Sequence, residues 1–178
     1  MEVSGFANEL AGYGRELGSH IDILQQSLND LDRGAAYTRV EAALNAILDE
    51  LVDLGQSTRS AEGVLPRGAL GKATRALRDM CQPVGALCRD LLRATQHFRE
   101  VDERRRRRSK IQTNEEMTEE RRITREIELG LLPELLRLYD QIGLVADLIG
   151  RTSSSADVSR PKGIRVHIDN ATRREDSA

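Results

Sequence analysis

The side chains best suited to metal binding or nucleophilic chemistry are three histidines and two cysteines, and neither set has a recognisable spacing. His20, His97 and His167 lie far apart, and no HExxH segment or CxxC pair accompanies them, so the sequence predicts no metal site and no cofactor. Cys81 and Cys88 are about 10 Å apart along a predicted helix, too far to form a disulfide with each other. They indicate buried thiols in a reducing compartment, and therefore an intracellular protein.

Two other patterns resemble sites but have simpler explanations. The segment "GYGRELG" at residues 12–18 contains closely spaced glycines, yet it lies within a helical pattern and follows no strand, so a small-residue packing face is predicted instead of a phosphate loop. Asp49, Glu50 and Asp53 place several carboxylates near one helix face, where solvent is the expected environment. Since no nucleophile elbow or acid–base pair is recognisable, the chain is not expected to be an enzyme.

The composition is that of long amphipathic helices. Of the 178 residues, 39% are hydrophobic, 31% are charged and only 3% are aromatic, so the core must be aliphatic. Residues 1–63 carry 4 basic and 11 acidic side chains, whereas residues 64–110 carry 13 basic and 5 acidic ones. This asymmetry predicts either pairing between helices or an electropositive face. No secretory signal and no transmembrane helix are expected, because long apolar runs are missing.

Apolar residues recur at steps of three and four along four stretches of the chain, which is the pattern of amphipathic helices. The first stripe contains Val3, Phe6, Leu10, Tyr13 and Leu17, and glycines between them, each costing about 1 kcal/mol relative to alanine, weaken this helix. Because short loops favour antiparallel neighbours, an all-α antiparallel four-helix bundle is predicted for residues 1–150. The expected buried residues are Leu44, Ile47, Leu51, Leu77, Leu87, Leu135, Leu138 and Ile142.

Glycine and proline suggest where these helices begin and end. The first helix is predicted to end at Gly34, the second at Gly55 and the last at Gly150, while Pro66 is suited to open the third. A loop is expected around residues 109–114, with a new helix starting near Glu115. Residues 151–163 are predicted to be a polar linker, and residues 164–178 a disordered, strand-prone tail.

A run of five arginines is the most concentrated charge in the sequence: Arg104, Arg105, Arg106, Arg107 and Arg108. The simplest interpretation is a solvated helix end balanced by nearby glutamates. A second is attraction to anionic lipid headgroups, since each basic side chain near such a surface contributes about 1 kcal/mol. Nucleic-acid binding is less favoured, because no aromatic residues are interleaved with the basic ones.

The order of the segments resembles a known family. "VSGFANELAGYGREL", "VEAALNAILDELVDLG", "ALRDMCQPVGALCRDLL" and "EIELGLLPELLRLYDQIGLVADLI" follow one another as in the HeLo-like N-terminal domains of fungal STAND (NLR-like) receptors and cell-death effectors. The resemblance covers about residues 1–150. It implies a role in programmed cell death or heterokaryon incompatibility, with the stripe of the first helix making the oligomer or membrane contact. Glu9, Arg15 and Glu16 make this helix less apolar than is usual in the family.

The last segment, "GIRVHIDNATRREDSA", resembles the first half of the amyloid-signalling motif related to HET-s that such effectors often carry after a polar linker. Ile164, Val166 and Ile168 alternate with polar residues, and Asn170 follows them. A lone strand with unpaired amides is a template for another copy of itself. An ordinary disordered tail is the alternative.

The resemblance therefore implies a non-enzymatic signalling module that oligomerises and engages membranes. Its partners would be copies of itself, a STAND receptor and an anionic membrane, and nucleic acid is an unlikely partner. Such a protein would be cytoplasmic and recruited to the plasma membrane. The alternative from the residues alone is a constitutive helical-bundle or coiled-coil scaffold for protein–protein interaction.

Overall fold

The computed structural model describes residues 2–30, 33–65 and 67–158, and these residues form an all-α bundle, as the sequence predicts. Helices account for 91% of the described residues, and no strand occurs among them. The helices are α1 (Val3–Leu28), α2 (Arg33–Glu62), α3 (Ala69–Arg107), α4 (Asn114–Glu126) and α5 (Leu132–Val158). A π-helical turn, Ile127–Leu131, joins α4 to α5, so these two helices form the fourth arm of the bundle.

Contacts between helices define how the arms are arranged. The Tyr13 hydroxyl of α1 lies 3.1 Å from the Ser57 hydroxyl of α2. Farther along α1, His20 lies 3.1 Å from Glu50, which precedes Ser57 in α2, so the two helices are antiparallel. α1 packs against α2 and α5, and α3 packs against the same two helices. The four arms therefore close a ring around one shared core.

This core is aliphatic, and it contains most of the residues expected from the sequence. Phe6, Leu44, Leu77 and Leu135 are fully buried, and among the predicted core residues only Leu87 is partly exposed. The confirmed members are Leu44, Ile47, Leu51, Leu77, Leu135, Leu138 and Ile142. Burying each such side chain contributes roughly 1.5–3 kcal/mol, so the stripes account for the assembly of the bundle.

Several predicted helix boundaries are wrong. Gly34 and Gly55 both lie inside α2, and α3 begins at Ala69, while Pro66 itself is outside the described residues. Beyond Gly55, α2 still buries the small side chains of Thr58 and Ala61 completely. This burial offsets the cost of a helical glycine, which is about 1 kcal/mol. Threonine and alanine do not register as core residues in a pattern of large apolar side chains.

The predicted end of the last helix at Gly150 is also wrong, because α5 continues to Val158. Residues 151–158 of the predicted linker are therefore helical, and residues 159–163 lie outside the described part of the chain. The Thr152 hydroxyl donates to the Ile149 carbonyl at 2.9 Å, within the helix. Extending an existing helix fixes one residue for each new hydrogen bond, so polar residues are added at little cost.

The π-helical turn ends two residues before Pro133, which is the second residue of α5. The Leu132 amide donates to the carbonyl of Ile127, five residues earlier. A proline in an α-helix removes one amide donor and crowds the carbonyl four residues back. A change of hydrogen-bond register just before Pro133 accommodates both effects.

Candidate functional site at the basic end of the third helix

The turn between α3 and α4 positions the basic residues. α3 ends at Arg107, and the backbone turns at Ser109, which has a left-handed φ of 51°. α4 then begins with a capping box in which the Thr113 hydroxyl accepts from the Glu116 amide at 3.2 Å and the Glu116 carboxylate accepts from the Thr113 amide at 3.0 Å. The predicted loop and restart near Glu115 are confirmed within a residue.

Two of the five arginines are part of the folded structure rather than free surface charges. Asp102 is buried, with 6% of its surface exposed, and it forms ion pairs with both Arg105 and Arg106. Arg105 also lies 3.4 Å from Glu116 and donates to the Lys110 carbonyl at 3.3 Å. A buried carboxylate requires such partners. The run is therefore not one uniform headgroup-binding patch.

The remaining basic residues form what we call the basic corner: Arg104, Arg107, Arg108 and Lys110, all of them exposed. Arg104 donates to the Glu100 carbonyl at 3.3 Å and lies 3.6 Å from the Glu100 carboxylate, and because both side chains are more than half exposed, this ion pair adds little stability. Within the described residues, the side chains of Arg107 and Arg108 have no ion-pair partner.

An apolar side chain protrudes from the same turn. Ile111 is 91% exposed and follows Lys110 directly. Beside it, a groove of about 250 Å³ is lined by Arg104, Arg108 and Lys110, among others. The corner therefore combines several exposed positive charges, a groove that Glu116 also lines, and one exposed aliphatic side chain. None of the helices in the described residues is long and apolar enough to cross a membrane.

The predicted contact residues of the first helix lie elsewhere, in the core of the bundle. Phe6 and Leu10 are fully buried and Leu17 is 2% exposed, while Val3 and Tyr13 are partly buried and pack against the core. In this conformation the stripe is covered by α2 and α5. The stripe can contact an oligomer partner or a membrane only if α1 leaves the bundle.

The small-residue face predicted for residues 12–18 exists only in part. A Cβ placed on Gly14 would lie 3.7 Å from the Ile142 side chain, and one on Gly18 would lie 3.4 Å from the Tyr139 ring. These two glycines therefore lie where α1 approaches α5. A Cβ on Gly12 would meet nothing within 4 Å, so this glycine weakens the helix without a packing role. The four predicted tail residues, Ile164, Val166, Ile168 and Asn170, lie outside the described part of the chain.

Sequence reasoning missed a polar cluster between α1 and α2. His20 Nε2 lies 3.1 Å from Glu50 Oε1, and both side chains are only 18% exposed. The prediction that Glu50 belongs to a solvated face is therefore wrong. Burial, and then the nearby charges of Glu16 and Asp53, raise the pKa of Glu50 to about 7. Glu16 and His20 are one helical turn apart, but the sequence gives no signal that Glu50 meets them.

The cysteines have the environment that the sequence predicts. Cys81 and Cys88 are both buried and free. The Cys81 thiol donates to the Leu77 carbonyl at 3.3 Å, and burial raises its pKa to about 11. Burial raises the pKa of Cys88 to about 12, against a smaller opposing effect of Arg89. Both thiols are protonated at neutral pH and are therefore poor nucleophiles and poor metal ligands.

The fold and the corner define the class of this molecule: an antiparallel four-helix bundle with a basic corner at the turn between its third and fourth arms. No protein-family model matches the chain, and neither a curated protein nor a solved structure is significantly similar to it. The likeness to HeLo-like domains thus stays a prediction from the sequence.

Proposed function

We propose that this chain is a non-enzymatic signalling module of the cell-death or innate-immunity type, which self-associates and engages an anionic membrane. The observation that carries the proposal is the basic corner, with Ile111 exposed beside it. Basic side chains around one exposed aliphatic residue suit a membrane surface, where the charges meet headgroups and the aliphatic side chain enters the acyl boundary.

The expected strength of this anchor follows from its charge. Each basic side chain near an anionic surface contributes about 1 kcal/mol, so the four in the corner contribute roughly 4 kcal/mol, or about a thousandfold preference for anionic membranes. Nearby acidic groups such as Glu100 and Glu103 reduce this value. One copy therefore binds reversibly, and several copies acting together bind firmly through effective concentration.

Self-association is proposed to use the stripe of the first helix. Phe6, Leu10 and Leu17 are buried in the bundle, and exposing them costs roughly 1.5–3 kcal/mol each. Release of α1 is favourable only if another apolar surface covers the stripe again. A neighbouring copy crowded onto the same membrane, or the membrane itself, provides that surface.

Recruitment is proposed to use the tail, on the basis of its resemblance to an amyloid-signalling motif. Alternating Ile164, Val166 and Ile168 suit pairing with a matching strand from a receptor. Fusing residues 160–178 to a fluorescent protein and expressing it beside a full-length motif tests this step. Recruitment into receptor foci that is lost on Val166→Pro supports it, and diffuse fluorescence of both forms contradicts it.

The membrane step is tested with a variant chosen from the structure. Replacing Arg104, Arg107 and Arg108 by glutamine removes exposed charges and leaves intact the two arginines that pair with buried Asp102. We expect binding to vesicles containing phosphatidylserine to weaken about a hundredfold, since three charges contribute roughly 3 kcal/mol. Helix content by circular dichroism should not change.

A matched control distinguishes binding at the basic corner from a general effect of the protein's net charge. Arg59, Arg67 and Arg89 are exposed, have no ion-pair partner among the described residues and lie away from the corner. Replacing these three by glutamine changes the net charge equally. On the proposal, this control variant should bind vesicles nearly as well as the wild type. An equal loss of binding in the two triple variants would mean that no site exists at the basic corner. Wild-type protein that binds phosphatidylcholine and phosphatidylserine vesicles alike also contradicts it.

A second function, a constitutive scaffold or adaptor, is favoured by a different surface. Four large apolar side chains along the π turn and α5 are roughly half exposed: Leu129, Leu136, Tyr139 and Leu144. Such residues suit docking to another protein without any rearrangement of the bundle. Vesicle leakage distinguishes the two functions, because a scaffold leaves vesicles intact at every protein concentration.

A further inference from the structure

The cluster between α1 and α2 has the composition of a metal site. Glu16, His20 and Glu50 each offer one ligand atom, and these atoms all lie within 4.8 Å of one another. Two helices supply them, with Glu16 and His20 one turn apart on α1 and Glu50 opposite on α2. The site is formed by the folded bundle rather than by a local sequence motif, which is why histidine spacing did not predict it.

The distance between His20 and Glu50 is close to that of two ligands that share one ion, and the Glu16 ligand atom lies within 4.8 Å of both. Metal–nitrogen and metal–oxygen bonds of about 2.0–2.2 Å place neighbouring ligand atoms of a tetrahedral site roughly 3.3–3.6 Å apart. His20 Nε2 and Glu50 Oε1 are already 3.1 Å apart. The exposed Glu16 side chain has no hydrogen bond or ion pair among the described residues, so it is free to move the short distance that remains.

Two buried atoms of the cluster lack hydrogen-bond partners among the described residues. His20 Nδ1 and Glu50 Oε2 have no hydrogen bond, although neither atom is exposed to solvent. A buried carboxylate oxygen without a partner is unfavourable. A cation bound to the Glu50 carboxylate through Oε1 also brings a positive charge close to Oε2, which otherwise lacks a partner.

The electrostatics favour a positive ion at this position. Glu16 and Asp53 surround Glu50 with negative charge, and no arginine or lysine forms an ion pair with Glu16 or Glu50 in the described residues. Repulsion from these two carboxylates and the burial of Glu50 both disfavour a negative charge on its side chain. One imidazole together with carboxylates suits first-row transition ions such as Zn²⁺, whereas Mg²⁺ and Ca²⁺ prefer oxygen ligands alone.

We propose that Glu16, His20 and Glu50 form a binding site for a divalent transition-metal ion, for which Zn²⁺ is the probe. An ion held by both helices links α1 to α2 and stabilises the closed bundle. The existence of this site does not depend on the proposed membrane function.

Calorimetric titration of the full chain with Zn²⁺ tests the site. We expect one ion per chain, and His20→Ala should weaken binding by about a hundredfold or more, since even residues that only orient a ligand contribute 10–100-fold. Glu16→Gln is the second variant, because this exposed side chain is not needed for folding, and it should also weaken binding. His97→Ala is the matched control, since it removes an exposed imidazole on α3 and should leave binding unchanged.

Two further measurements identify the ligands. Zn²⁺ at a hundredfold excess over its Kd should raise the Tm by roughly 5–10 °C, and His20→Ala should abolish this shift. Co²⁺ should give visible absorption without a thiolate charge-transfer band, because Cys81 and Cys88 are buried and protonated.

The proposal is overturned if His97→Ala weakens Zn²⁺ binding as much as His20→Ala does. It is also overturned if Glu16→Gln and His20→Ala both bind like the wild type, or if the cobalt spectrum shows thiolate ligands.

Discussion

Replacing Gly12 by alanine should make the local opening of α1 about four- to fivefold less favourable at equilibrium. Gly12 lies in the middle of this helix, and a Cβ at this position meets no atom within 4 Å, so alanine fits without strain. A glycine in a helix interior costs about 0.8–1.0 kcal/mol relative to alanine. At 0.59 kcal/mol for RT, this difference lowers the equilibrium constant for unravelling α1 by a factor of roughly four to five.

Native-state amide hydrogen exchange measures this opening. Protection of the α1 amides should rise four- to fivefold in Gly12→Ala, because the glycine costs about 1 kcal/mol of helix stability relative to alanine. The matched control is Gly55→Ala, which also lies inside a helix with no atom near the added methyl group, but in α2. It should leave exchange from α1 unchanged, because α2 stays folded when α1 alone opens.

The two variants also distinguish the alternatives. If both raise the protection of α1 equally, α1 exchanges only when the whole bundle unfolds, and the proposed release of the first helix is refuted. If Gly12→Ala has no effect on α1, glycine does not control the opening. On the proposed function, a smaller population of opened α1 should also reduce vesicle leakage.

Three further changes test the fold. Leu138→Ala or Leu51→Ala should lower the free energy of unfolding by about 2–5 kcal/mol through lost burial and a cavity, and a loss below about 0.5 kcal/mol for both in urea titrations would contradict the core assignment. Thr113→Ala should destabilise by about 1 kcal/mol because it removes the cap of α4, whereas Thr118→Ala, at an exposed position inside α4, should cost less. Glu50 has a pKa raised from 4.5 to about 7 in the fold, so the folded state binds more protons than the unfolded state between these values, and stability should fall as pH rises through them. Glu50→Gln should remove this pH dependence and be the more stable form at pH 8, which urea titrations across the pH range measure.

The helices and their packing could be predicted because period and burial are properties of one element at a time. Leu44, Ile47 and Leu51 recur at steps of three and four, and this spacing alone places them on one face. Helix ends were less predictable. Gly55 looks like a stop only because the pattern overlooks Thr58 and Ala61, which the core buries as completely as any leucine.

The sites were harder to predict because they depend on which residues face each other across two helices. The run of five arginines reads as one patch in the sequence, yet rotation about the helix axis turns Arg105 and Arg106 towards Asp102. Likewise, nothing near Glu50 in the sequence indicates His20. The capping box at Thr113 could be predicted from the sequence, because a threonine three residues before a glutamate at a helix start is a local signal.

The different accessibility of the two proposed contact surfaces sets an order of events. The basic corner is exposed in the closed bundle, whereas Phe6, Leu10 and Leu17 are buried, and uncovering these three costs roughly 5–9 kcal/mol at 1.5–3 kcal/mol each. On the proposed function, membrane binding through the corner therefore precedes release of α1, and it should require only one copy. If a neighbouring copy covers the released stripe, leakage should rise steeply with the density of bound protein while binding rises in simple proportion. Leakage that is linear in bound protein would mean that each copy acts alone, and that the stripe is not what joins one copy to the next.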